Sequence, residues 1–181
     1  ISTPSARFHT DGTLTATIAA TEIVDLYNIT YQAAPRVQTT FRYSIFNPRE
    51  LPASRDSLRD RSYGVKALLW REGDYRPSLA LGVRDILGTG VWESEYIVAS
   101  KRWRALDLTL GLGWGRLGTL NSFDNPIAKL NSDFSNRFSG MQSGGKYGGE
   151  WRSNSFFRGS ASLFGGLQFS SSSGKWRVSI E

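Results

Sequence analysis

The stretch from Ala105 to Gly118 alternates cleanly with a period of two. Leu106, Leu108, Leu110, Leu112 and Trp114 occupy one parity, and Asp107, Thr109, Gly111, Gly113, Gly115 and Arg116 fill most of the rest. Successive side chains of an extended chain point to opposite sides, so this pattern predicts a β-strand with one apolar and one polar or small face. Two settings suit such a strand. In a soluble sandwich the leucines meet a second sheet; in an outer-membrane barrel they meet lipid, while Asp107, Thr109 and the glycines face a watery lumen.

The same period recurs along the chain. Leu14, Ala16, Ile18 and Ala20 alternate with threonines, and Tyr27, Ile29 and Tyr31 with Asn28, Thr30 and Gln32. Val37 to Ile45, Tyr63 to Trp70 and Ser78 to Arg84 follow, then Glu95 to Lys101, Phe157 to Phe169 and Lys175 to Glu181. Nine strands and no convincing helix are expected. Most are long enough to cross a bilayer as tilted strands, which takes roughly 9–11 residues.

The connections differ in length. Short turns are expected at Ala34-Pro35, Gly73-Asp74, Arg102–Arg104 and Ser171–Gly174, and long loops at 47–61, 87–94 and 117–149. Short turns on one side and long loops on the other are the outer-membrane arrangement. Residues 1–12 are expected to be a polar lead-in and 117–149 a long extracellular loop. Aromatics fall near strand ends: Tyr31, Trp103 and Trp176 by the short turns, Tyr43, Tyr63 and Trp114 by the long loops. They suit two interfacial girdles. Leu79, Leu81, Val83, Leu106, Leu108, Leu110 and Leu112 are then lipid-facing. The fold expected is an all-β, antiparallel, up-and-down transmembrane barrel segment over 1–181. An odd strand count would leave an open edge in hydrocarbon, where each unpaired backbone group costs several kcal/mol. The segment is therefore expected to belong to a larger barrel, unless the alternation hides or miscounts a strand near Glu150–Phe156.

Composition narrows the function classes. The 181 residues include no cysteine, which excludes a disulfide scaffold and a thiolate metal site. No run of about 18 apolar residues exists, so no transmembrane helix is expected. The mean hydropathy of −0.33 suits a soluble domain and a barrel alike. The chain opens at Ile1 without the basic and apolar regions of a signal peptide, as a processed or truncated chain would. The net charge of +6 is spread singly along the sequence, which argues against nucleic acid as the partner.

The charges gather by parity instead. Arg42, Lys66, Arg84, Asp107, Arg116, Arg158, Lys175 and Arg177 fall on the polar side, where cations outnumber acids. A positive lumen lowers the barrier for an anionic polymer. The alternative is that these arginines pair with acids on neighbouring strands and only fill the barrel.

Several stretches resemble the amino-terminal part of the YjbH family of outer-membrane proteins. They are Thr3-Pro4-Ser5-Ala6-Arg7, Leu81-Gly82-Val83-Arg84-Asp85 with Gly88-Thr89-Gly90, Ser94-Glu95-Tyr96, Leu110-Gly111-Leu112-Gly113-Trp114-Gly115-Arg116, and Phe157-Arg158-Gly159. Shorter matches lie at Phe41-Arg42-Tyr43 and Val65-Lys66. The resemblance implies a large β-barrel in the bacterial outer membrane. It implies a part in secreting or assembling an extracellular polysaccharide, with lipid and other secretion-system proteins as partners. It supplies no catalytic residues.

The residues themselves suggest no enzyme and no cofactor. His9 is the only histidine and has no partner motif. Asp85, Glu93 and Glu95 could form a glycosidase-like carboxylate pair, but acids at strand ends are more often solvated or ion-paired. Gly111, Gly113 and Gly115 lack the helix and spacing of a dinucleotide fingerprint and are expected to clear space in the lumen. Besides a polysaccharide-secreting barrel, two readings stay open: a general porin or barrel anchor, and a soluble β-sandwich binding glycan or nucleic acid.

Overall fold

The structure is a computed structural model describing residues 3–46, 59–87, 90–137, 155–171, 173 and 175–181. Nine strands run in sequential order through one sheet, every neighbouring pair antiparallel. They are β1 (Leu14–Ala20), β2 (Val24–Ala34), β3 (Val37–Phe46), β4 (Arg59–Trp70), β5 (Ser78–Arg84), β6 (Ser94–Trp103), β7 (Leu106–Trp114), β8 (Ala161–Ser170) and β9 (Arg177–Ile180). The helical elements among the described residues are short 3₁₀ turns at Gly115–Gly118, Pro126–Lys129 and Ser132–Phe134. The expected up-and-down sheet is therefore present. Among the described residues its edge strands β1 and β9 each pair with one neighbour and not with each other.

The register aligns the two parities across the sheet. Leu110 lies opposite Ala99 and Gly165, and Leu112 opposite Ile97 and Leu163. Asp107 lies opposite Arg102 and Gln168. The register keeps most polar side chains on one face and most exposed apolar ones on the other, and a slip of one residue would exchange them. The apolar parity is exposed: Ile18 is 72% exposed, Leu110 60% and Leu163 76%. The polar parity is buried, including Gln32, Ser44, Asp60, Ser78, Ser100 and Ser162. This is the reverse of a water-soluble sheet, which buries its apolar side.

The expected lead-in covers part of the polar face. Residues 3–9 cross it as a strap. Ala6 N–H donates to Ser100 Oγ and Ala6 C=O accepts from Ser78 Oγ, at 2.9 and 3.0 Å. Lys66 Nζ donates to the carbonyls of Ser5 and Arg7, and His9 N–H to Gln32 Oε1. Thr3 reaches Glu181 at the end of β9. Ala6 packs with Ala80, Tyr96 and Val98, backed by Phe8, Leu117 and Phe164. Small side chains at Ser78, Ala80 and Ser100 leave the room that the strap fills.

Several boundaries differ from expectation. β4 begins at Arg59, four residues before Tyr63, so Tyr63 lies within the strand and not beside a long loop. β6 runs through to Trp103, and Arg104 turns the chain with a left-handed φ of 53°. Residues 117–137, the first part of the expected long loop, carry the 3₁₀ turns named above. The remainder of that loop, 138–149, and most of the loop expected at 47–61 lie outside the described residues.

Candidate functional site

The strap-covered face carries a cleft of about 260 Å³, lined by Arg42 on β3, Lys66 on β4 and Arg84 on β5. The register brings these three together. Arg42 is opposite Ser62, Gly64 is opposite Arg84, and Lys66 is opposite Gly82, so they occupy adjacent strands within four residues along β4. Asn28, Thr30, Gln38, Thr40 and Ser62 line the same cleft with hydroxyl and amide groups. Arg42 Nε donates to Asn28 Oδ1 at 2.8 Å. The Arg84 guanidinium lies over the Tyr96 ring, and Lys66 Nζ over that of Phe8. Among the described residues, none of the three cations has a carboxylate within salt-bridge distance. Asp85 also lines the cleft and tempers its charge.

Loop residues close the end of the face nearest the long connections. Trp92, between β5 and β6, packs on Val24 and Leu26 and stacks on Phe46. Its indole N–H donates to Ser44 Oγ, and the guanidinium groups of Arg42 and Arg116 both lie 5.4 Å from its ring centroid. Asp85 adopts a left-handed φ of 63° and accepts from Trp92 N–H. Burial, then the charge of Asp60, pushes the Asp85 carboxyl up to about 6 despite the backbone hydrogen bonds it receives.

At the opposite end the strap is held by ions. Arg7 forms a bidentate pair with Asp107, at 2.9 and 2.6 Å, and its third nitrogen meets Glu72 at 2.5 Å. Arg102 joins Asp107 from the neighbouring strand, and Lys101 joins Glu72. Burial works against the Glu72 charge, but hydrogen bonds from Arg7, the Arg102 backbone and Lys101 outweigh it and hold the carboxyl at about 2. Arg177 borders this cluster in a second, shallower cleft with Glu181.

The expected basic series is thus divided. Arg42, Lys66 and Arg84 converge, Asp107 is neutralised by Arg7 and Arg102, and Arg116 stacks on Trp92. Arg158 precedes β8 in a loop, over the Phe134 ring, and Lys175 is an exposed residue ahead of β9. Neither sits within a strand, because the alternation resumes only at Ala161 and Arg177. Trp114 differs most from its expected place at an interface. It is fully buried, edge-on to Phe157, with its N–H on Asn125 Oδ1. Arg137 reaches over from the long loop and grips Glu95 with two hydrogen bonds of 2.7 and 2.8 Å, while also meeting Glu93. Those two acids anchor the loop to the sheet.

Tyr31, Trp103 and Trp176 are exposed near the short turns, and Tyr63 is exposed within β4. Tyr43 lies half-buried against Tyr27. Leu106 and Leu110 are exposed and Leu108 and Leu112 half-buried on the same open face, as are Leu79, Leu81 and Val83. Arg7, Trp92 and Arg137 lie outside every alternating stretch, so periodicity carries no signal for them. Gly82 and Gly111 are occupied by their neighbours: a Cβ on either would overlap the ring of Tyr96 or Phe164. The glycines let rings lie flat on the adjoining strand.

The profile of the YjbH family, described as exopolysaccharide biosynthesis protein YbjH, matches residues 1–181. The chain is 33% identical over 186 residues to the uncharacterized lipoprotein YjbH of Escherichia coli (strain K12). That match covers 100% of the chain and 26% of the relative, so the chain spans about a quarter of the relative's length. No solved structure matches.

Proposed function

Since the chain belongs to the YjbH exopolysaccharide biosynthesis family, we propose that it is a segment of a larger outer-membrane β-barrel that takes part in secreting or assembling an extracellular polysaccharide. The observation that carries this reading is the inverted polarity of the sheet. Its open face presents Ile18, Leu110 and Leu163 without cover, while Gln32, Ser44, Asp60, Ser78 and Ser100 are buried on the other face. Lipid gives that apolar face a solvent, and a water-filled interior suits the polar one. Six of the strands have 9 to 12 residues, the length a tilted strand needs to cross. The longer relative has room for further strands to pair with β1 and β9, and its name as a lipoprotein agrees with the cell envelope.

The strap favours docking or assembly over free conduction, because it occupies the face along which a polymer would pass. This reading gives Glu95 a structural part: both of its oxygens are engaged by Arg137, and one also by Phe157 N–H.

Single cysteines test the placement, since this segment has none of its own. In the full-length protein cleared of other cysteines, Leu110→Cys and Leu163→Cys in native membranes should react with a lipid-soluble maleimide and resist a water-soluble one. Rapid labelling by the water-soluble reagent would overturn the membrane reading. Deleting the full gene should reduce extracellular polymer, and an unchanged surface polymer would overturn the role in secretion or assembly.

A further inference from the structure

We propose that the cleft between Arg42 and Arg84 is a binding site for one acidic sugar unit of a carboxylated polysaccharide, its carboxylate held between the two guanidinium groups. The inference rests on the reading of this face as a polymer-facing interior and adds the ligand class and its residues. Arg42 and Arg84 stand on β3 and β5, on either side of β4. At a strand spacing of about 4.8 Å, that places their backbones roughly 10 Å apart across the sheet. Between them on β4 is Gly64, opposite both Thr40 and Arg84. Its missing side chain leaves room in the cleft that Arg42 and Arg84 both line. A Cβ there would stand 3.3 Å from Val83 O and within 4 Å of the Arg84 side chain.

The chemistry around that gap distinguishes a sugar from a bare anion. Guanidinium groups match a carboxylate's geometry with paired donors. Asn28, Thr30, Thr40 and Ser62 surround them with neutral donors and acceptors suited to ring hydroxyls. The volume of about 260 Å³ is far more than one ion or one water needs. Lys66 adds a third positive charge, but its ammonium is tied to Ser5 and Arg7 carbonyls of the strap. A ligand in the cleft therefore also touches the strap, because Thr3, Pro4 and Ser5 form part of the wall. The buried carboxylates of Asp85 and Asp60 oppose this charge and leave the three cations in excess.

Calorimetric titration of the full-length protein in detergent with oligogalacturonate, against neutral malto-oligosaccharide, tests the proposal. The uronate should bind at least tenfold more tightly, with an affinity that weakens as salt rises. Arg42→Gln and Arg84→Gln should each reduce that affinity about tenfold, and Arg36→Gln, on an exposed turn, should not change it. Gly64→Val keeps every charge and fills the gap, so it should abolish binding. Arg42→Lys keeps the charge and the fold's ion balance, and should bind less tightly than wild type. Equal affinity for the neutral sugar, or full uronate affinity in Gly64→Val, overturns the site. Neither result bears on the maleimide pattern of the open face, so failure here is distinguishable from failure of the barrel reading.

Discussion

Asp85 is a buried acid whose raised pKa makes stability depend on pH. Its carboxyl titrates near 6 in the fold against an ordinary value of 3.8, because burial and then Asp60 oppose its charge. The folded state thus binds the proton more tightly than the unfolded one. The stabilisation is fully present below the ordinary value and is lost as pH rises through about 6. The difference amounts to about 2–3 kcal/mol. Asp85→Asn keeps an acceptor for Trp92 N–H and tolerates the left-handed backbone. Thermal melts should therefore show wild type losing stability between pH 4 and pH 6.5 and the Asn variant losing much less; parallel curves would count against the raised pKa. None of this environment was legible beforehand. Asp85 was readable as an acid at a strand end, but Trp92 reaches it from a loop with no period. By contrast, the outward direction of Leu106 and Leu110 follows directly from alternation, because a strand allows a side chain only two sides.

Among the elements, the strands were legible and what packs on them was not. Period two located all nine, to within a few residues except where charge masked a start, as at Arg59 of β4. The strap has no period, and its polar composition resembles a turn. The small residues Ser78, Ala80 and Ser100 were the available signal, since a face that leaves room must receive something. Arg7→Gln tests how the strap is held. It removes the bidentate partner of Asp107 and the nearest partner of Glu72. The expected loss is about 1–3 kcal/mol, read as earlier protease cleavage within residues 3–9 and a lower melting temperature. Unaltered cleavage would mean that the backbone contacts of Ala6 suffice alone. The ring-over-glycine pairs make a second test. Gly111→Ala pushes against the Phe164 ring and should cost about 1–3 kcal/mol. Adding Phe164→Leu should recover much of that loss in a double-mutant cycle, because the smaller side chain can turn away. Additive losses would separate the glycine from the ring.

At the scale of the whole molecule, the proposed membrane placement gives the exposed apolar side of the sheet a solvent that prefers it. The sheet order, the loop asymmetry and the prevailing polarity of each face were all visible in the sequence. Whether the sheet curls to close was not, because closure depends on partners for β1 and β9. The solvent can be identified by comparing two substitutions on one strand. Leu106 begins β7 beside Trp103 and is 41% exposed; Leu110 lies at its middle and is 60% exposed. In water, the more buried leucine is the costlier to replace, so Leu106→Arg would exceed Leu110→Arg. In a bilayer, depth decides: arginine costs about 2–4 kcal/mol at the midplane and about 0–1 near an interface. The order then reverses. Urea titration of the full-length protein in lipid vesicles should give Leu110→Arg the larger loss, by roughly 2 kcal/mol. The opposite order would place this face in water and leave the buried serines and carboxylates of the other face to be explained by the strap alone.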